Sequence, residues 1–259
     1  MSTILEVKQL SKYFGGLAAV SELDLGVSDS EILGLIGPNG AGKTTLFNLI
    51  SGFFPPTSGK VIFEGRDITG LKAHEVAHLG ISRTFQASTL FMKISVLDNV
   101  FTGYHMNYKI SIWKRLLRTP AALKEEEMLS QRAMEILGFM GLASLKDELA
   151  ANLPHGHQRI LGVCMALATN PKLLLLDEPV TGMNLEETQT MIDLIRQIRD
   201  RGVTIIVVEH DMKVVMSLCD RIAVLNYGQK IAEGLPEEIR ENKEVIEAYL
   251  GKEGTKYVA

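Results

Sequence analysis

Gly37-Pro38-Asn39-Gly40-Ala41-Gly42-Lys43-Thr44-Thr45 is the stretch from which the fold is read. It follows Glu31-Ile32-Leu33-Gly34-Leu35-Ile36, an apolar run short enough for a buried strand, and precedes Lys43 to Ser51, where the spacing predicts a helix. In that setting the G-x-x-x-x-G-K-[ST] pattern predicts a phosphate site. Glycines let successive backbone N–H groups turn inward around an oxyanion, and the following helix adds its positive end. Lys43 then sets an ammonium against β- and γ-phosphates, and the Thr44 hydroxyl is suited to Mg²⁺. On this reading a side chain at Gly42 would crowd the phosphate. A turn that served only to start a helix would leave Lys43 without a purpose.

Two other polar clusters fit the same ligand. Leu173-Leu174-Leu175-Leu176 reads as a dry strand delivering Asp177 and Glu178 to its C-terminal end, where ligands of parallel sheets collect. A buried charge there is costly unless it is paired or faces a metal. Asp177 is therefore expected to face Mg²⁺ through water, and Glu178 to polarise the attacking water; the plainer alternative is two solvated acids. Val207-Val208-Glu209-His210-Asp211 repeats the plan, with the His210 imidazole placed to hydrogen-bond the γ-phosphate and the water. A lone histidine at a strand end is more often structural, so His210 takes its meaning from the other motifs. In Arg83-Thr84-Phe85-Gln86, a Gln86 carbonyl on Mg²⁺ would report the γ-phosphate to the segment that follows.

The rest of the chain sets the frame. With 27 Lys+Arg against 31 Asp+Glu the net charge is −4, and 46% of the 259 residues are apolar, enough for a sizeable core. No basic cluster argues for nucleic acid. Cys164 and Cys219 are too few for a disulfide framework and read as core thiols. The first residues lack a basic, then apolar, leader pattern, and the longest apolar run, Ile160 to Ala168, is short of a membrane span. The expectation is a chain neither secreted nor membrane-spanning.

Runs at Ile4 to Leu10, Leu17 to Val27 and Val61 to Phe63 predict an antiparallel β layer, with Gly15-Gly16 and Ser58-Gly59 as turns. From Val96 to Asn152 helix formers dominate, as in Lys124 to Leu137. Strand patterns return at Leu173 to Leu176, Thr204 to Val208 and Ile222 to Leu225, separated by helical stretches at Glu186 to Arg199 and Met212 to Cys219. That alternation predicts a parallel sheet with helices packed on it. Pro236 to Leu250 reads as a packing helix without catalytic content.

In their order these motifs resemble the ATP-binding-cassette ATPases over nearly the whole chain. The resemblance implies Gly37 to Thr45 as the Walker A loop, Gln86 as the Q-loop, Leu173 to Asp177 as Walker B, Glu178 as catalytic base and His210 as switch histidine. It also implies Phe14, in Leu10-Ser11-Lys12-Tyr13-Phe14-Gly15, as the adenine-stacking aromatic, with Tyr13 as the neighbouring alternative and a core aromatic as the plain one. The implied ligands are ATP and Mg²⁺. On this resemblance Lys43, Glu178 and His210 are expected to carry catalysis, Thr44, Gln86 and Asp177 to face the metal, and Pro38, Asn39, Gly40, Ala41 and Thr45 to complete the cradle.

Two segments depart from the family. The signature, usually Leu-Ser-Gly-Gly-Gln, stands as Leu153-Pro154-His155-Gly156-His157-Gln158-Arg159. Pro154 brings neither hydroxyl nor N–H; His155 and His157 either donate in their place or sit in a plain loop. In Thr181-Gly182-Met183-Asn184 the family's final aspartate is an asparagine. Because each site borrows the partner's signature, a heterodimer with a better-signed ATPase is expected over a homodimer. Ser82 to Gln86, the insertion around Trp113-Lys114-Arg115, and Val245 to Gly251 are similar to the LivG-type ATP-binding subunits of branched-chain amino acid importers. Trp113 with its basic neighbours reads either as resting on a membrane-facing surface or the permease, or as part of an amphipathic surface helix; Phe91, Met92 and Ile94 read either as lining a groove for a permease helix or as packing a helical subdomain.

The fold class so implied is α/β: a RecA-like P-loop NTPase core with an antiparallel β subdomain and an inserted helical subdomain. Its expected parts are 1–90 with 156–235, the helical 91–155, and a tail at 236–259. Implied partners are two permease subunits, a second ATPase or a second copy, and a periplasmic solute-binding protein, with the chain peripheral on the cytoplasmic face of the inner membrane. The competing readings are a cassette ATPase of another transport system, exporters included, a non-transport cassette ATPase acting on ribosomes or DNA, and a module that binds ATP but hardly hydrolyses it.

Overall fold

A computed structural model of the chain describes residues 2–84, 90–104 and 117–254. They divide into two compact units, Met1–Ile81 with Lys172–Pro179 and Ile195–Ala259, and Ser82–Pro171 with Val180–Leu194.

In the first unit, β1 (Thr3–Phe14) and β2 (Leu17–Ser28) form a hairpin turned at Gly15, whose φ of 57° suits glycine. With β4 (Ser58–Phe63) and β5 (Arg66–Asp67) they make an antiparallel sheet of order β2-β1-β4-β5. The expected β layer is present, with one change. Gly59 lies inside β4, not in a turn: its φ is 88° and an added Cβ would overlap the Gln9 carbonyl, at the point where the β1–β4 register shifts.

The second sheet has the order β10-β9-β3-β8-β7-β6. Its members are β3 (Ile32–Ile36), β6 (Ile81–Arg83), β7 (Leu173–Asp177), β8 (Thr204–Val208), β9 (Arg221–Asn226) and β10 (Gln229–Gly234). β9, β3, β8 and β7 run parallel, and β3 and β8 are buried throughout, which is why they read as unbroken apolar runs. β10 returns antiparallel to β9 through Tyr227-Gly228, both with positive φ, a hairpin turn that the sequence reading passed over. The helix α1 (Lys43–Ile50) contributes Leu46 and Phe47 to a core shared with Leu33, Leu35, Leu175, Ile206 and Val208 and with the inward side chains of β1 and β2. Burying each such side chain is worth about 1.5–3 kcal/mol. This core fixes the strand and helix that flank the phosphate loop.

The short helix α2 (Ala73–His78) precedes β6. The second unit holds α3 (Val96–Gly103), α4 (Pro120–Phe139) and α5 (His155–Ala168). Gly103 lets α3 approach α5, since a Cβ there would overlap the Met165 carbonyl. Asn99 is fully buried and ties down the chain before α3: its Oδ1 accepts from Phe91 N–H at 2.8 Å, and its Nδ2 donates to the carbonyls of Phe91 at 3.1 Å and Ser95 at 2.9 Å. Residues 92–95 lie against 149–151 through Ala150 N–H to Ile94 and Ala151 N–H to Met92.

Helix α6 (Leu185–Asp200) runs from the second unit into the first, and α7 (Met212–Leu218) precedes β9. The C-terminal segment is two helices, α8 (Pro236–Glu241) and α9 (Lys243–Gly254), where the periodicity predicted one. Asn242 divides them, its side chain accepting from the N–H groups of Glu244 and Val245 to cap α9. Cys164 and Cys219 are buried, free thiols whose pKa values burial pushes up, with Asp220 and then Glu209 adding at Cys219.

Asn99→Ala strands the buried N–H of Phe91 and the carbonyls around it, and should cost about 2–4 kcal/mol. Urea unfolding of the two proteins checks this; an unchanged midpoint would show that the 91–95 segment is held by other means.

Candidate functional site

The phosphate loop spans the gap between β3 and α1 with Gly37, Gly40 and Gly42 at φ values of 149°, 80° and 105°. A Cβ at Gly37 would overlap the Leu225 carbonyl oxygen, and one at Gly42 the Ala19 carbonyl oxygen, whereas Gly40 faces open space. Gly42 is thus required by the protein's own backbone, a reason separate from the crowding of a phosphate that the sequence suggested. The loop is pinned from outside: Gly228 N–H donates to Ala41 O at 3.0 Å, and Ser21 N–H to Gly228 O at 2.8 Å. The hairpin turn between β9 and β10 is therefore a brace for the loop.

No side chain caps the start of α1 and its first turn holds no acid, so its amides meet no competing carboxylate there. Lys43 Nζ donates to the carbonyls of Gly37 at 2.6 Å and Pro38 at 3.0 Å. Burial lowers the Lys43 pKa, opposed by the charges of Glu178 and then Asp177. Those two carboxylates are felt at the lysine. From α9, Tyr249 brings its phenol to the Gly37 backbone; burial raises its pKa and the hydrogen bond from that backbone lowers it in part. The tail that read as packing alone touches the loop.

β7 ends at Asp177, and the chain turns sharply at Glu178, whose φ of 48° is unusual for a residue with a side chain. Its N–H is held by Val208 O at 2.9 Å, at the end of β8. Beyond β8, Glu209 turns inward until its side chain is out of solvent, while the His210 side chain keeps 63% exposure. His210 Nδ1 lies 3.8 Å from Glu178 Oε1 and 3.8 Å from Glu209 Oε2, and Glu209 Oε2 accepts the His210 backbone N–H at 3.1 Å. Asp211 caps α7 by accepting from Lys213 N–H and Val214 N–H. The structure brings Lys43, Asp177, Glu178 and His210 into one unit at the C-terminal ends of parallel strands. Glu209, Asp211 and Tyr249 were not assigned from the sequence. An acid continuing the apolar run Val207-Val208 was the available signal for Glu209.

Phe14, at the end of β1, is 48% exposed and meets Phe54 edge to face at 5.5 Å; Lys12 Nζ lies 5.3 Å from the Phe14 ring and 5.0 Å from that of Phe54. Tyr13 is exposed too, so both candidates for stacking are accessible.

In the second unit, Pro154 is the N-cap of α5, outside the helix, so its missing N–H removes no helical amide. Gln158 braces the turn by donating to Leu153 O at 3.0 Å. The His155 ring stands against Gly182, and the Glu187 carboxylate against Gly156. Asn184 caps α6: its Oδ1 accepts from Glu187 N–H at 3.0 Å and its N–H donates to Glu187 Oε2 at 3.0 Å. This capping box does with a neutral amide what an aspartate there would do with charge. Phe91 and Met92 are exposed on the segment held by Asn99. Gln86 and Trp113 lie outside the described residues.

A family model described as ABC transporter matches residues 20–181, and one described as Branched-chain amino acid ATP-binding cassette transporter matches residues 229–255. The chain is 42% identical over 250 residues to the high-affinity branched-chain amino acid transport ATP-binding protein LivG of Salmonella typhimurium, covering 96% of this chain and 98% of the relative. It is 40% identical over 250 residues to BraF of Pseudomonas aeruginosa, with the same coverage. Among solved structures, an ATP-binding cassette of an ABC transporter in its ADP conformation superposes with a TM-score of 0.86 at 32% identity, covering 97% of this chain and 100% of that one.

The two glycines of the loop should separate in mutation. Gly40→Ala meets only the positive-φ penalty, about 1–2 kcal/mol, whereas Gly42→Ala adds overlap with Ala19 O and should cost more than about 3 kcal/mol. Thermal unfolding of both variants checks the order; equal losses would contradict the geometry.

Proposed function

Because the chain belongs to the ABC transporter family, we propose that it is the ATP-hydrolysing subunit of an importer for branched-chain or related hydrophobic amino acids. The observation that carries the catalytic part is the meeting of Lys43, Asp177, Glu178 and His210 around the glycine loop. The substrate class rests on the names of relatives such as LivG and BraF and on the match at residues 229–255.

In this reading the amides of Gly37 to Thr45 cradle the phosphates of ATP, and Lys43 exchanges the carbonyls of Gly37 and Pro38 for β- and γ-phosphate oxygens. Glu178 takes a proton from the water that attacks the γ-phosphorus in line, and the bond to the ADP oxygen breaks. His210 hydrogen-bonds a γ-phosphate oxygen, and Phe14 stacks on adenine. Thr44, Asp177 and Gln86 offer a hydroxyl, a carboxylate and an amide carbonyl, the oxygen set Mg²⁺ takes when phosphates and waters fill its other positions. Among the described residues no three-residue His, Cys, Asp or Glu cluster exists that would hold a metal without them. Bound there, Mg²⁺ would neutralise charge on the β- and γ-oxygens.

ATP-driven closure of a dimer is passed to two permease subunits, with a periplasmic solute-binding protein delivering the amino acid. No helix among the described residues is long and apolar enough to cross a membrane, consistent with a peripheral subunit on the cytoplasmic face of the inner membrane. In this reading the ATPase domain has its helical part at 91–155 and its tail at 236–259. The signature at Leu153 to Gln158 retains the helix-start amides but lacks the serine hydroxyl. That favours pairing with a second, fully signed ATPase, whose site would borrow this weaker signature.

Glu178→Gln should lower ATP turnover by at least about 100-fold while ATP binding persists and closed dimers accumulate; unchanged turnover in a phosphate-release assay would remove Glu178 as base. Mixed with its partner ATPase, the chain should hydrolyse ATP faster than alone, and equal rates would contradict the heterodimer.

A further inference from the structure

We propose that Glu209 is the positioning residue of the His210 imidazole, its buried carboxylate fixing which ring nitrogen carries the proton and which edge of the ring faces outward. The inference rests on the reading of His210 as the group that meets the γ-phosphate.

Among the described residues only Glu31 and Glu209 are buried acids. Glu31 is matched by the Arg221 guanidinium at 2.6 Å and accounts for itself structurally. Glu209, with no exposed side-chain surface, accepts the His210 backbone N–H at 3.1 Å. That bond sets the peptide from which the imidazole springs. The same Oε2 lies 3.8 Å from Nδ1, and Glu178 Oε1 lies 3.8 Å from Nδ1 on the strand-end turn after β7. Two carboxylates at one ring edge favour a proton at Nδ1 over a lone pair there. Nε2 is then the outward atom. A neutral ring accepts there from water, whereas a ring with a proton on both nitrogens donates there to a phosphate oxygen.

Of the two carboxylates, Glu178 is the more open, its side chain 32% exposed on the turn after β7. Glu209 has no exposed side-chain surface and is anchored on the backbone N–H of the same histidine. Orientation of His210 during turnover therefore falls to Glu209. Asp211, the other neighbouring acid, is committed to the N-terminus of α7.

The test is tautomer-sensitive ¹H–¹⁵N NMR of the full chain labelled with ¹⁵N-histidine, at a pH where the ring is neutral, with His210 assigned by its loss in His210→Gln. The wild type should carry the proton mainly at Nδ1. In Glu209→Gln the population should move at least threefold toward the Nε2–H form, and Glu209→Asp, which keeps the charge, should restore most of it. Steady-state hydrolysis by Glu209→Gln should show kcat reduced about tenfold with KM for ATP within twofold. An Nε2–H majority in the wild type, or the same tautomer ratio in Glu209→Gln, would overturn the proposal. Since the wild-type spectrum decides by itself, a Glu209→Gln that fails to fold leaves the proposal exposed. Should His210→Gln hydrolyse ATP normally, the assigned role of His210 falls, whereas the tautomer result stands or falls separately.

Discussion

The structure turns on a bend of backbone that, in the function proposed, holds dense negative charge. Amides can converge on a phosphate only if the chain takes left-handed angles where side chains do not fit, and only if something stops the bend from relaxing. Here the constraint is mutual. Gly37 and Gly42 press so closely on Leu225 and Ala19 that no Cβ fits, and Gly228 ties the bend to β2 through Ala41 and Ser21. Both sheets of the first unit are thereby committed to one geometry of the loop.

Around that bend the groups we propose for catalysis arrive by the same device, a buried parallel strand that ends in a polar residue. β7 delivers Asp177 and Glu178, and β8 delivers Glu209 and His210. Strand register sets their spacing, since Asp177 pairs with Val208. The left-handed turn at Glu178, held by Val208 O, brings its carboxylate to the histidine. A departure from ordinary backbone angles at this point is the kind of strain that a reactive site retains.

Much of this was legible in the residues, for reasons that differ by element. Strands buried on both faces announce themselves as apolar runs, so β3, β7 and β8 were found nearly to the residue. The glycine loop is defined by chemistry that few other residues supply. What escaped was set by distant contacts. Gly59 reads as a turn because its neighbour in β1 is invisible from sequence, and α8 and α9 read as one helix because Asn242 is a cap only if the chain bends there. Glu209 and Tyr249 lacked meaning until the fold placed one beneath His210 and the other on Gly37. Pro154 and Asn184 looked like losses. As helix caps, both keep the start of a helix intact, and at Pro154 the group missing from the family's pattern is the serine hydroxyl.

A crystal structure of the chain with Mg²⁺ and a non-hydrolysable ATP analogue tests the central claim most directly. The account predicts β- and γ-phosphates within hydrogen-bond distance of the amides of residues 40–45, and Lys43 Nζ moved from the Gly37 and Pro38 carbonyls onto phosphate oxygens. Phosphates bound elsewhere, or a Lys43 still on those carbonyls with nucleotide present, would contradict it.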